Sequence, residues 1–300
     1  MAQPGPLEPE TQLIAVPVGA LAVHAWGGAG DPVLLAHPTG FHGRVWAPVA
    51  ERLVTAGRRV WSLDFRGHGD SDAPDPAGDA YSWDGFAADA LAVADHLAIA
   101  GDPALVACGH SKGATSLLLG EAHRPETFAR IWCYEPILFP DDRTIPSADE
   151  FPLSANARKR RNEWSSVDEA FDVYASKRPL DVMTAESLRA YVEYGLRDRG
   201  DGVLELKCRP EVEARVFAMA PGNDAWRFLP EIQAPVVVAC GEVSTDIGPR
   251  LAARIAARLP HGQLEVWPGC GHFGPQQDPD RCCRSVLGFA DDVSRPPGAS

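Results

Sequence analysis

The chain has 300 residues, enough for one large core or two modest ones, and 45% of them are hydrophobic. Its formal net charge is −13, from 28 basic and 41 acidic residues, which argues against non-specific nucleic-acid binding. No apolar run reaches membrane-spanning length and no charged-then-apolar leader opens the sequence, so a cytoplasmic protein without a nucleic-acid or membrane partner is expected.

The Pro-rich start, 1–10, and the tail from Ser294 are expected to lie outside the packed fold. A hairpin is predicted around Gly19, from 12–18 and 21–26, followed by a buried strand at 33–37. Apolar spacing gives a helix over 46–56 that stops at Gly57, then a strand at 59–63. Phe86, Ala90, Val93 and Leu97 share one face of a helix over 86–98. A strand at 105–108, a helix from Ala114 and a strand at 131–134 continue the rhythm. It resumes after a long gap with a strand at 235–240, a helix at 249–259, a strand at 263–267 and a last helix at 279–289. Strands alternating with helices predict an α/β fold with a mainly parallel, doubly wound sheet covered on both faces.

The gap, 138–230, is richer in charge and lacks buried strand runs. Short helices are predicted at 171–176, 185–195 and 211–218. The expected organisation is therefore a core of 1–137 and 231–300 with a helical cap, or lid, of 138–230 over the active edge of the sheet. The basic run Arg158-Lys159-Arg160-Arg161 sits in a polar helical stretch and reads as a solvated helix face. Seven cysteines cannot all pair. Cys108, Cys133 and Cys240 lie in apolar strand-like runs, and no zinc-like Cys/His spacing occurs. Free thiols, no metal and no cofactor are expected.

The most informative segment is Gly109-His110-Ser111-Lys112-Gly113, which fits Gly-x-Ser-x-Gly between a predicted strand and a predicted helix. The turn is sharp enough that side chains in place of the glycines would collide. It pushes the serine hydroxyl out over the sheet edge, and the following helix N-terminus brings backbone N–H groups beside it. A serine hydroxyl is a poor nucleophile at neutral pH and needs a base within hydrogen-bond reach. His272, in a Gly-flanked loop after a strand, suits that task. A carboxylate should orient the imidazole and stabilise its charged form.

Several further segments extend this picture. They are His37-Pro38-Thr39-Gly40-Phe41, Asp64-Phe65-Arg66-Gly67-His68-Gly69-Asp70-Ser71, Gly241-Glu242 with Asp246, and Gly269-Cys270-Gly271-His272-Phe273. With the serine elbow they resemble, in order, the motifs of capped, single-domain serine enzymes of the α/β-hydrolase fold, over 12–136 and 231–290. The resemblance implies Ser111 as nucleophile, His272 as general base and Asp246 as the acid, in the chain order expected for that fold. Glu242 is a weaker rival. Glu135 is the stronger alternative, because it ends the strand where some relatives, including certain haloalkane dehalogenases, place their acid; otherwise it would pair with Lys112.

The oxyanion hole is expected from the N–H groups of Lys112 and Thr39, with Gly40 or Phe41 as alternatives; Pro38 departs from the usual Gly and cannot donate. His37 and His110 read as structural, His42 as capping a turn in preference to facing the pocket, and Arg66 and His68 as organising their loop. Phe41, Trp164, Tyr174, Tyr191 and Trp226 are the expected substrate-binding residues, with Phe171 as a further aromatic candidate. The implied activity is hydrolysis of a small-molecule ester, lactone or similar carbonyl compound. The alternatives are a C–C bond hydrolase of the meta-cleavage-product type and a non-hydrolytic binding or lyase member of the fold. A homodimer remains open.

Overall fold

The computed structural model describes residues 7–141, 152–245 and 247–292. Asp246, residues 1–6 of the Pro-rich start and the tail from Ser294 therefore lie outside the described residues, while Glu10, the last residue of that start, already belongs to a strand.

The chain opens with a hairpin, β1 (Glu10–Val16) and β2 (Gly19–Gly27), turning at Gly19 with φ +130°. Next come β3 (Pro32–Ala36), α1 (Ala47–Thr55), β4 (Arg59–Leu63), α2 (Trp83–His96), β5 (Val106–His110), α3 (Lys112–His123) and β6 (Arg130–Tyr134). The Ser82 hydroxyl caps α2 by accepting from Gly85 N–H at 2.9 Å.

The chain then leaves the sheet through α4 (Pro152–Arg158), β7 (Glu163–Trp164), α5 (Val167–Ala175), α6 (Ala185–Gly195), β8 (Leu196–Asp198), β9 (Leu204–Leu206), α7 (Pro210–Ala218) and α8 (Ala225–Phe228). It returns as β10 (Val236–Gly241), α9 (Pro249–Arg258), β11 (Gly262–Trp267), α10 (Gly274–Gln277) and α11 (Pro279–Ala290).

Eight strands form one sheet in the order β1-β2-β4-β3-β5-β6-β10-β11. The six strands from β4 to β11 are parallel, and only β2 of the opening hairpin runs against them. β3, β5, β6 and β10 are buried at every position, as strands covered on both faces must be. Alternation divides the core. Leu34 and Ala36 pack with Phe86, Leu117 and Ile255 of α2, α3 and α9, while Val33 and Leu35 pack with Val49, Leu53 and Val286 of α1 and α11. The fold is α/β with a mainly parallel central sheet.

The excursion between β6 and β10 is not purely helical, contrary to expectation. β7, β9 and β8 form a small antiparallel sheet. Strands of two and three residues are too short to carry an alternating pattern that sequence could reveal. α6 rests on α1 and on the short 3-10 turn Gly43–Trp46 that follows the β3 loop. The excursion is thereby held over the carboxyl ends of the strands.

Candidate active site

Ser111 sits between β5 and α3 with φ 56° and ψ −119°, a backbone conformation that costs a non-glycine residue about 1–3 kcal/mol. Its N–H donates to the Tyr134 carbonyl at 2.8 Å, which anchors the turn to β6. The flanking glycines are obligatory. A Cβ on Gly109 would lie 2.6 Å from the Ala114 backbone, and one on Gly113 would lie 2.3 Å from the Ala36 carbonyl. The elbow thus packs so closely on its own helix and on β3 that no side chain fits.

His272 lies in the loop between β11 and α10, and its side chain is about one-third exposed. Its Nδ1–H donates to Glu135 Oε2 at 2.6 Å. Glu135 follows β6 directly, with φ 45° and no solvent exposure. Its second oxygen accepts from Gly241 N–H at 2.8 Å. Both carboxylate oxygens are therefore committed, one to the imidazole and one to the end of β10.

Of the two candidate acids, the described residues bring Glu135 to His272. Glu135, the alternative, occupies the inner nitrogen of His272, and Asp246 lies outside the described residues. The reason is topological: β6 is the strand between β5, which carries Ser111, and β10, so its end opens between the serine and the histidine loop. Glu135 does not pair with Lys112. Glu242 fastens the histidine loop from outside, accepting from Gly269 N–H at 3.0 Å.

Tyr134 had no assigned role in the sequence, yet it ties the parts together. Its carbonyl holds the Ser111 N–H and its hydroxyl donates to Gly271 O at 2.7 Å, one residue before His272. A Cβ on Gly274 would lie 2.0 Å from that phenol oxygen, so the loop closes on it only because Gly274 lacks one. His110 is fully buried and its ring lies 4.8 Å from that of His272. Burial pushes the His110 pKa well below its ordinary value, so it is a neutral wall behind the imidazole.

The loop after β3 forms a four-residue turn. Phe41 N–H donates to Pro38 O at 3.3 Å, and Gly40 takes φ +77° at the third position, as a type II turn requires. The N–H of Phe41 is spent in that turn, which removes it as an oxyanion donor and leaves Thr39 and Gly40. His37 is structural: Nδ1–H donates to Pro38 O at 2.7 Å and Nε2 accepts from Phe65 N–H at 3.1 Å. His42 does not cap its turn. Its Nε2–H donates to Tyr191 O at 3.0 Å and clasps α6, while burial pushes its pKa down to about 4.

Lys112 begins α3, and its side chain runs back into the core. Nζ lies 4.0 Å from the Phe65 ring and 4.5 Å from the Phe86 ring, with no hydrogen-bond partner, and burial pushes its pKa down to about 7. Arg66 grips Asp89 with two nitrogens and organises its loop. Among the described residues, His24, Asp64 and Asp70 have metal-like spacing. Asp64 is already spent on the N–H groups of Gly43 and Asp70 and on His24 Nε2, and Asp70 pairs with Lys207 at 2.6 Å. The group holds loops together.

Of the expected binding residues, Phe41 is packed between Tyr191 (4.5 Å) and Phe273 (5.6 Å), beside His272. Tyr174 meets both Tyr191 and Trp164. Phe171 lies under the Arg189 guanidinium. Trp226 belongs elsewhere. It packs with Leu229 and Ile255 on the other face of the sheet, near the guanidinium of Arg258. Its aromatic character and its place in the insertion misdirected the reading. Arg160 departs the other way. It is not on a solvated face but turned inward, bonded to Glu213 Oε2 (2.9 Å) and to the hydroxyls of Tyr174 (3.1 Å) and Tyr191.

All seven cysteines are free and buried. Among the described residues no helix is long and apolar enough to cross a membrane.

Comparison with known proteins agrees with this architecture. The chain is 25% identical over 257 residues to a non-heme chloroperoxidase, CPO-A1, of Kitasatospora aureofaciens, covering 82% of this chain and 86% of that one. It superimposes on E-2-(acetamidomethylene)succinate hydrolase with a TM-score of 0.80 at 22% identity, over 94% of this chain and 99% of that one. It superimposes on N-formylmaleamic acid deformylase from Pseudomonas putida S16, an S94A variant, with a TM-score of 0.72 at 21% identity, over 92% and 100%. The family model for alpha/beta hydrolases matches residues 33–285, and the chain belongs to the alpha/beta hydrolase family.

Proposed function

We propose that this protein is a serine hydrolase that cleaves an ester, lactone or similar carbonyl substrate through an acyl-enzyme on Ser111. The observation that carries the reading is the pairing of a strained serine elbow with a histidine whose Nδ1–H is held at 2.6 Å by a fully buried glutamate. With Nδ1 protonated by that bond, Nε2 is the free basic nitrogen, so His272 is in the tautomer a general base needs. Glu135 orients the ring and stabilises the imidazolium that forms when His272 takes the serine proton.

The tetrahedral oxyanion would accept from the backbone N–H groups of Lys112 and Thr39, the first aided by the positive end of α3. His272 would then return its proton to the leaving group. Water, activated by the same nitrogen, would release the acid. The insertion is the cap in this reading, and Phe273, Phe41 and Tyr191 are the rings that lead from His272 toward it.

The test is intact-mass spectrometry after treatment with a fluorophosphonate. One adduct is expected, mapped to Ser111, and none on Ser111→Ala. Labelling that survives in the alanine variant, or none in the unaltered protein, would overturn the proposal.

A further inference from the structure

Four of the insertion's helices, α4 to α7, converge on one polar cluster, and it lies against the oxyanion loop. Arg160, just past α4, bonds to Tyr174 of α5, Tyr191 of α6 and Glu213 of α7. Glu213 presses on the loop itself: a Cβ on Gly40 would lie 2.2 Å from Glu213 Oε1. Tyr191 packs at a tilt against Phe41 of the same loop, with ring centroids 4.5 Å apart. Nothing in the chemistry of the serine, histidine and glutamate uses these groups.

Their hydrogen-bonding capacity is only half spent. Each tyrosine oxygen accepts from the guanidinium and keeps its own proton to donate. Glu213 gives one oxygen to Arg160 and keeps Oε1, on the Gly40 side, as an acceptor. Charge is already balanced within the cluster, because Arg160 and Glu213 cancel. Bringing a third, unpaired charge into this enclosed place is costly, and an alkyl chain would strand the donors and the acceptor. A neutral group that both accepts and donates satisfies all of them.

The side of the substrate follows from the ring contacts. The leaving group must stand beside His272 to receive its proton. From His272 the packed rings run Phe273, Phe41, Tyr191, and only then Arg160. A group that reaches the cluster is therefore on the acyl part.

We infer that Tyr174, Tyr191, Arg160 and Glu213 form a specificity subsite for an uncharged donor–acceptor group, an amide, on the acyl portion of the substrate. The inference rests on Ser111 being the nucleophile. Its experiment compares the second-order rates at which Ser111 is labelled by three fluorophosphonates with tails six or seven atoms long, 4-acetamidobutyl, hexyl and 5-carboxypentyl. Covalent labelling reads acyl-side recognition without requiring turnover.

The acetamido reagent is expected to react about tenfold faster than the hexyl reagent, the discrimination that one or two paired hydrogen bonds supply. The carboxylate reagent should be the slowest. Tyr191→Phe and Tyr174→Phe, which remove only hydroxyls, should each shrink the acetamido-to-hexyl ratio severalfold. The doubly changed Arg160→Met, Glu213→Gln should bring it close to one. Preference for the hexyl or carboxylate reagent, or a ratio unmoved in both Phe variants, overturns the subsite while leaving the nucleophile intact. Failure of all three reagents to label Ser111 overturns both.

Discussion

The carboxyl edge of the sheet and the insertion above it build their polar centres by different means. At the sheet edge, geometry comes from backbone. Ser111 and Glu135 sit at positive φ directly after strands, Gly109, Gly113, Gly241 and Gly274 clear the space, and the main-chain N–H of Gly241 holds one carboxylate oxygen. In the insertion, geometry comes from side chains. Short helices converge on one largely buried arginine, and its partners are fixed by hydrogen bonds to hydroxyl and carboxylate tips. The first arrangement leaves little room for substitution. The second can be altered one tip at a time, which suits it to selecting substrates on a fixed chemistry.

The largest effects should follow from changes at the sheet edge. Ser111→Ala is expected to lower kcat on the order of 10⁴-fold or more with the fold retained. Glu135→Gln removes the charge that stabilises the imidazolium and frees the tautomer, which by the precedent of such triads costs roughly 10³–10⁴ in kcat. Asp246→Asn should stay within a few-fold of the unaltered protein. Steady-state kinetics on an activated ester, with melting temperature as the folding control, decide it. An inactive Asp246→Asn beside an active Glu135→Gln would restore the first assignment.

Tyr134→Phe sharpens the comparison, because it changes a side chain on which the backbone arrangement depends. It removes the hydrogen bond to Gly271 O and leaves that carbonyl short of a donor. About 1–2 kcal/mol of stability should be lost, and kcat should fall severalfold as the His272 loop loosens. A stability loss with unchanged kcat would show that the loop is held by its other contacts. Trp226→Ala supplies the contrast from the insertion. It empties a buried site on the other face of the sheet, so stability should fall by about 3–5 kcal/mol while the ratio of rates on short and long acyl esters stays the same. A changed ratio would return Trp226 to the pocket.

These contrasts also explain what the sequence disclosed. The elbow, the oxyanion loop and the terminal histidine loop are short, continuous strings whose glycines are dictated by local crowding, so their meaning is legible along the chain. The choice between Glu135 and Asp246 is not local. Each follows a strand in the chain, and only the neighbouring of β5, β6 and β10 puts Glu135 against the imidazole. Tyr134 was hidden for the same reason, since its partners are Ser111 and Gly271. Arg160 was misread because a run of basic residues looks alike whichever one turns inward. Here Arg161 lies over the Trp164 ring while its neighbour enters the cluster. His42 holds a carbonyl 149 residues away, a contact no spacing can announce.

Lys112 lies where the two regions differ least, in the core behind the elbow, and its effect should be the smallest and the most dependent on pH. Its backbone N–H is the proposed oxyanion donor, but its ammonium is buried over two phenylalanine rings with no hydrogen-bond partner. The rings offset part of the cost of burying the charge, not all of it. Burial pushes the pKa from 10.5 down to about 7. Between those values the unfolded chain binds more protons at this site than the folded chain does, so the contribution of Lys112 to stability rises with pH across the window and is least favourable below 7. Lys112→Met keeps most of the side-chain volume and removes the charge. It should raise the melting temperature, more at pH 6 than at pH 9. His37, His42 and His68 are also buried with lowered pKa values, and they too make acid pH unfavourable. Lys112 is itself among the causes that lower His37 and His68, but above pH 7 the histidines have already lost their protons in either state, so the difference between variant and unaltered protein across pH 7–9 isolates Lys112. A difference in melting temperature that does not change over that interval would mean that the amine keeps its ordinary pKa, and that the rings and nearby carboxylates stabilise the charge fully.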